Sequence, residues 1–126
     1  MTVLAARILV VEDDADARRL LHDVLVGAGF DVQTASHGAE ALRLLRADPP
    51  DAIVLDLILP WINGIEVLST LRADPRLMNV PVIVTTGTAT GESDLRVFRP
   101  LIVMRKPFDV DVLVESIQNM LLGRPH

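Results

Sequence analysis

Carboxylates and one lysine stand where short apolar runs of this sequence end. Glu12 and Asp13 follow the first run, and Asp56 lies near the end of a central one. Lys106 follows the last run and is the only lysine of the chain, which otherwise uses arginine. A compact ammonium group, and not a planar guanidinium, is therefore selected at this position. If these groups meet, they can bind a cation and hold a phosphoryl group.

Carboxylates that lie close together repel one another, and a divalent cation relieves that repulsion. Hard oxygen ligands favour Mg²⁺, or a similar ion such as Mn²⁺, and leave coordination positions open for a phosphoryl oxygen. Asp56 is the candidate nucleophile towards phosphorus, which would yield an aspartyl phosphate. The metal, the Lys106 ammonium and the Thr86 hydroxyl would then hold the charge of the transferred group.

Short β-branched runs alternate with segments of helical period, which predicts repeated βα units around a parallel sheet. In such a sheet, ligands bind outside the carboxyl ends of the strands, where these polar residues fall. Most strands are apolar on both faces, whereas the second alternates and is predicted to be an edge. The predicted strands are 7–11, 31–35, 52–57, 82–86 and 101–104.

Four helices are predicted from apolar stripes and capping residues, and a fifth is weak. Glycines and threonines lower helix propensity across 85–100, so only 93–98 can form a short, irregular or mobile helix there. The first stripe consists of Ala17, Leu20, Leu21, Val24, Leu25 and Ala28, and the other helices lie near 38–46, 63–72 and 110–121.

The acidic residues also have a structural interpretation. Asp13 or Asp14 can cap the first helix and favour its positive end. Taken alone, capping and metal binding are about equally favoured on the sequence signals for helix starts. A lone carboxylate such as Asp56 in an apolar strand is costly unless it is paired or metal-bound, so the constellation as a whole favours the metal site.

Composition restricts the class of protein. A chain of 126 residues that is 50% hydrophobic forms one domain with a core of ordinary size. A net charge of -5 with scattered arginines argues against direct binding of nucleic acid. There is no cysteine framework, signal peptide or run long enough to span a bilayer, so we expect a soluble cytoplasmic protein.

Four motifs resemble the signatures of response-regulator receiver domains of two-component systems, the CheY-like superfamily. They are ILVVEDD at 8–14, IVLDLILP at 53–60 with Asn63-Gly64, PVIVTTG at 81–87, and KPF at 106–108. The resemblance covers essentially the whole chain. It implies a flavodoxin-like (βα)5 three-layer sandwich in which a parallel five-stranded sheet has the order 2-1-3-4-5.

The resemblance also implies roles for individual residues, with Mg²⁺ (or Mn²⁺) as the cofactor. Lys106 precedes a proline in a bond that is often cis in this family. The implied phosphoacceptor is Asp56, the metal ligands are Glu12 or Asp13 with Asp56 and the backbone carbonyl of Ile58, and Thr86 and Lys106 form the face that switches partner binding.

The implied phosphodonor is a sensor histidine kinase or phosphotransfer protein, and the target is a downstream protein partner or output domain. We expect residues 1–126 to form a single receiver domain without an output domain, either stand-alone or cut from a longer protein. Such a domain is not an enzyme beyond self-catalysed phosphotransfer and autodephosphorylation. We expect a monomer or weak dimer with no contact to nucleic acid or membrane.

Particular residues argue for or against three alternative classes of protein. A flavodoxin-type flavin binder would share this fold, but the acids after the first strand would repel the phosphate of its flavin. Ile58 stands where a related class of phosphatase carries its second acid, which argues against hydrolytic turnover. Val103 replaces the aromatic switch residue of many receivers, so a pseudo-receiver that does not signal through phosphate is the main alternative. With that switch absent, we expect output to depend on ordering of the segment 87–100.

Overall fold

A computed structural model describes residues 5–87 and 92–122. Within these residues, five strands alternate with four α-helices and one 3-10 helix, η1. The elements are β1 Arg7–Val11, α1 Ala15–Gly27, β2 Asp31–Ala35, α2 Gly38–Ala47, β3 Ala52–Asp56, α3 Gly64–Ala73, β4 Val82–Thr86, η1 Glu92–Phe98, β5 Leu101–Arg105 and α4 Val110–Leu122.

The five strands form one parallel sheet in the order β2-β1-β3-β4-β5, which confirms the predicted topology. Val11 is in register with Leu55, and Asp56 with Thr85, so the ends of β1, β3 and β4 meet at one edge. The boundaries differ from the prediction by one residue at two places. The third strand ends at Asp56, and the fifth continues to Arg105.

Helices cover both faces of the sheet, so alternate residues of a strand enter separate cores. Leu9 and Leu55 pack with α2 and α3 on one face. Ile8 and Val54 pack with α1 and α4 on the other face. This arrangement explains why β1, β3 and β4 are apolar on both sides, since each is covered by two helical layers.

Both outer strands are partly exposed. The edge position of β2 was predicted from its alternation, and its exposed and covered residues alternate as expected. β5 also lies at an edge, which its continuous apolar sequence does not indicate. Ile102 on this strand is 38% exposed.

The buried stripe of α1 is narrower than predicted. Leu21 and Leu25 are buried, whereas Leu20 is 54% exposed and Ala28, the residue after the helix, is exposed as well, so the assignment of these two to the stripe was wrong. Consecutive helical residues point about 100° apart, so Leu20 turns away from the sheet that Leu21 contacts. A helix packed on one face of a sheet buries only the side chains aimed at that face.

The weak helix predicted between the fourth and fifth strands is a 3-10 helix, Glu92–Phe98, one residue longer than the predicted 93–98. Leu95 is buried and anchors this helix against the core on the α2 and α3 face. The expected ordering of 87–100 falls partly on 88–91, which lies outside the described residues. Within the described ranges, no helix combines the length and apolar character needed to cross a membrane.

Candidate functional site

The acidic residues predicted to act together do meet at the carboxyl edge of the sheet. Glu12 follows β1, Asp56 ends β3, and the two strands are neighbours. One carboxylate oxygen from each of Glu12, Asp13 and Asp56 lies within 4.8 Å of the others. Glu12 and Asp56 are buried, whereas Asp13 is exposed. The cluster is therefore open to solvent on the Asp13 side.

Lys106 bridges the two buried carboxylates. Its Nζ lies 3.2 Å from Asp56 Oδ2 and 3.3 Å from Glu12 Oε2. Its backbone N–H donates to the Thr86 carbonyl at 2.8 Å, so the strand ladder positions it. The bond from Lys106 to Pro107 is cis, as the resemblance implies. The only lysine of the chain thus lies where it neutralises part of the cluster's charge.

Both carboxylate oxygens of Asp56 have a donor. Oδ2 accepts from Lys106, and Oδ1 accepts from the backbone N–H of Ile58 at 3.0 Å. The turn after β3 therefore fixes the orientation of the carboxylate. Ligation of a metal by the Ile58 carbonyl stays a prediction.

The electrostatics of the cluster favour a divalent cation. Burial raises the pKa of Glu12 from 4.5 to about 7, and the neighbouring Asp56 adds to the rise while Lys106 opposes it. For Lys106, burial lowers the pKa, but the charges of Asp56 and Glu12 outweigh burial and the net pKa is raised. One ammonium does not balance three carboxylates. The donor set fits Mg²⁺, which prefers carboxylate oxygens.

Metal affinity is expected to depend on pH through Glu12. If Glu12 is a metal ligand, it must lose its proton to bind, so the affinity for Mg²⁺ should fall roughly tenfold per pH unit below the Glu12 pKa and level off above it. Without metal, folded Glu12 holds its proton more tightly than the unfolded chain does. Its contribution to the free energy of unfolding therefore falls as pH rises from 4.5 through about 7.

Titration of the metal across this range, followed by fluorescence of the single tryptophan, measures the effect. The Glu12→Gln variant should bind weakly and lose the pH dependence. Equal wild-type affinities well below and well above pH 7 would contradict the assignment of this pKa to a metal ligand.

Thr86 ends β4 and is buried. Because its carbonyl receives the Lys106 N–H, it lies at the same edge of the sheet as the cluster. Residues 88–91, which begin two positions after Thr86, lie outside the described part of the chain. The action of its hydroxyl as a switch stays a prediction.

The capping interpretation and the metal-site interpretation apply to different acids. Asp14, and not Asp13, caps α1, since its side chain accepts from the N–H groups of Asp16 and Ala17. The N–H group of Ala17 and then that of Asp16 lower the Asp14 pKa, because they favour its charged form. Asp13 is left for the cluster.

Trp61 lies in the loop between β3 and α3. It is 87% exposed, and its ring meets the His37 ring edge-on with 5.9 Å between centroids. Its φ of 64° is left-handed, which costs a non-glycine residue roughly 1–2 kcal/mol. As the single tryptophan, it is a natural fluorescent reporter for this loop.

Gly64 belongs to the Asn63-Gly64 motif, but its structural role was not predicted from the sequence. A Cβ at this position would lie 2.6 Å from Leu57 Cα and 2.8 Å from the Asp56 carbonyl oxygen. The Asn63 side chain caps α3, and the Gly64 N–H donates to the Leu57 carbonyl. The missing side chain of Gly64 lets α3 begin directly against the residue that carries the carboxylate. The Asn-Gly pair was the signal for this contact.

The fold and this edge of the sheet define a class of protein, and comparison with known proteins gives the same class. The family model of the response regulator receiver domain matches residues 8–118. The DNA-binding response regulator MtrA of Mycobacterium tuberculosis is 44% identical over 131 aligned residues, which cover 96% of this chain and 53% of MtrA. The chain thus spans about half the length of the curated relatives it matches.

Solved structures agree with this class. The receiver domain of Francisella response regulator 1452 has a TM-score of 0.84 at 27% identity, over 93% of this chain and 97% of that one. The receiver domain of the sensor histidine kinase PA1611 from Pseudomonas aeruginosa shares the fold, with a TM-score of 0.84 at 24% identity over 95% of this chain and 100% of that one. The chain belongs to the response regulator receiver domain family, whose members are signalling domains of two-component systems.

Proposed function

We propose that this receiver accepts a phosphoryl group on Asp56 in a Mg²⁺-dependent reaction and thereby switches the binding of a partner. One observation carries the proposal. Asp56 is buried, with the Lys106 ammonium 3.2 Å away and the carboxylates of Glu12 and Asp13 beside it. A single acid with both a cation and further metal-type ligands beside it is equipped for phosphoryl transfer.

The transfer conserves atoms and charge within the site. A carboxylate oxygen of Asp56 forms a bond to phosphorus while the bond from phosphorus to the donor's leaving group breaks, and that group keeps the electron pair. The donor is the phosphohistidine of a kinase or phosphotransfer protein, or a small acyl phosphate. The Ile58 N–H holds Oδ1 of the nucleophile in place during the attack.

Glu12, Asp13 and Asp56 are the residues that would hold the metal, together with the Ile58 carbonyl. When bound, Mg²⁺ would neutralise charge on the phosphoryl oxygens. Two observations support this choice, namely the spacing of the three carboxylates and the raised Glu12 pKa that a cation would relieve. The structure of the PA1611 receiver is described with a magnesium ion coordinated in its active-site cleft.

Lys106 and Thr86 are the proposed switch. In the unphosphorylated chain, the Lys106 ammonium pairs with the carboxylates of Glu12 and Asp56. A phosphoryl group on Asp56 would compete with these carboxylates for the ammonium. The Lys106 N–H donates to the Thr86 carbonyl, so a displacement of either residue would also shift the ends of β4 and β5. The partner that reads this face is a downstream protein or an output domain.

The remaining proposals follow from the class. A sensor histidine kinase or phosphotransfer protein supplies the phosphoryl group, and residues 1–126 act as the receiver unit in the cytoplasm. MtrA is named as a DNA-binding regulator, but the net charge of -5 favours no direct nucleic-acid contact by this receiver. We propose a monomer or weak dimer.

Beryllofluoride, which mimics a phosphoryl group on a carboxylate, tests the site without covalent chemistry. With Mg²⁺ present, ¹⁹F NMR should show bound fluoride for the wild type and none for Asp56→Asn. Asp31→Asn, an exposed acid at the start of β2, is the matched control and should bind as the wild type does. A wild type that binds no beryllofluoride would favour the pseudo-receiver, whose sequence signal is Val103.

A further inference from the structure

Arg18 contacts the backbone of the acidic loop that follows β1. Its Nη1 donates to the backbone carbonyl of Glu12 at 2.9 Å and to that of Asp13 at 3.3 Å. These are the two loop residues whose side chains join the cluster with Asp56. One guanidinium nitrogen therefore touches both peptide groups that carry the candidate metal ligands.

Other hydrogen bonds hold the acidic loop against α1 and β2. Asp14 accepts at its side chain from the first amides of α1, and its carbonyl accepts the Arg18 N–H at 2.9 Å. The Glu12 N–H donates to the Ala35 carbonyl of β2 at 3.0 Å. Arg18 adds the contacts that restrain the carbonyls of residues 12 and 13.

We propose that Arg18 is a positioning residue for the metal-binding carboxylates. The inference rests on the proposed function, since it needs a metal at the cluster. Rotation of a peptide plane at residue 12 or 13 would swing the attached side chain. Mutual repulsion of the carboxylates favours such a movement, and the guanidinium opposes it by holding both carbonyls.

Charge and geometry predict opposite effects at this position. If Arg18 acted only through its positive charge, its removal would strengthen the binding of a cation, because like charges repel. If it acts by position, its removal weakens binding although a repelling charge is lost. Groups that orient metal ligands typically contribute roughly 10- to 100-fold to affinity. The sign of the change therefore separates the two roles.

The experiment is a direct Mn²⁺ titration of the whole chain, in which electron paramagnetic resonance measures the free ion. We expect Arg18→Met to bind Mn²⁺ about tenfold more weakly than the wild type. Arg18→Lys keeps the charge but loses the planar fork, so its affinity should lie between the two. Arg19→Met is the matched control, since Arg19 is the next residue of α1 and is exposed; its affinity should not fall.

A second readout separates positioning from general destabilisation. With acetyl phosphate, the metal concentration for half-maximal rate should rise in Arg18→Met, whereas the rate at saturating Mg²⁺ should match the wild type. Unchanged or tighter Mn²⁺ binding in Arg18→Met would overturn the inference and leave the proposed function standing. A wild type that binds no Mn²⁺ would overturn both.

Discussion

A Gly64→Ala variant is expected to lose about 2 to 3 kcal/mol of stability, the upper range for overpacking a close contact, and to accept phosphoryl groups more slowly. The new Cβ would lie 2.6 Å from Leu57 Cα and 2.8 Å from the Asp56 carbonyl oxygen. Both atoms belong to the backbone, so no side chain can rotate away. Either α3 moves outward or the end of β3 shifts, and a shift displaces Asp56 from Lys106.

Urea unfolding and the initial rate with acetyl phosphate measure the two effects of Gly64→Ala. Gly27→Ala is the matched control, because a Cβ there meets nothing within 4 Å. Since Gly27 ends α1, alanine should leave the free energy of unfolding unchanged or raise it by up to about 1 kcal/mol. If Gly64→Ala keeps both wild-type stability and wild-type rate, the tight contact between α3 and β3 has no functional importance.

Arg72→Met is expected to cost about 3 kcal/mol, because several hydrogen bonds of a half-buried charged group are lost together. Arg72 lies in the last turn of α3 and reaches two separate segments. Burial lowers the pKa of its guanidinium. It donates to the backbone carbonyls of Leu77, Met78, Val80, Phe98 and Pro100.

Loss of this side chain removes the Arg72 donor from carbonyls that precede and follow β4 in the chain. Leu77 and Pro100 keep a backbone donor, the N–H groups of Val80 and Val82, but Met78, Val80 and Phe98 lose the side-chain donor. The free energy of unfolding tests the total cost, and hydrogen exchange of the 92–99 amides tests whether the turn between η1 and β5 loosens. Arg43→Met on the exposed side of α2 is the control and should change stability by less than about 0.5 kcal/mol. Equal stabilities of the Arg72 and Arg43 variants would show that solvent replaces these hydrogen bonds at no cost.

The sheet and the site were predictable because both depend on local pattern. Buried parallel strands need apolar residues on both faces, and that pattern located β1, β3 and β4 within one residue. The same logic brought the strand-end residues Glu12, Asp56 and Lys106 together. Their types then indicated the chemistry.

Features that depend on long-range geometry were not predictable. The residues of β5 are as apolar as those of a central strand and do not indicate its exposure, although the strand order that the resemblance implies placed it at an edge. The contacts of Arg72 join residues up to 28 positions apart, and arginine at a helix end has many uses. Likewise, the Arg18 contacts need the loop conformation that Asp14 sets. For Arg72 and Arg18, the missing information is which backbone carbonyls lie within reach of the side chain in the folded protein, and the local sequence pattern does not give it.

The most direct test of the central claim is intact mass after incubation with acetyl phosphate, with and without Mg²⁺, for the wild type and Asp56→Asn. We predict a single phosphoryl adduct on the wild type that requires Mg²⁺ and is absent from the variant. An adduct that persists in Asp56→Asn, or a wild type that never forms one, would contradict the assignment of Asp56 as the phosphoacceptor.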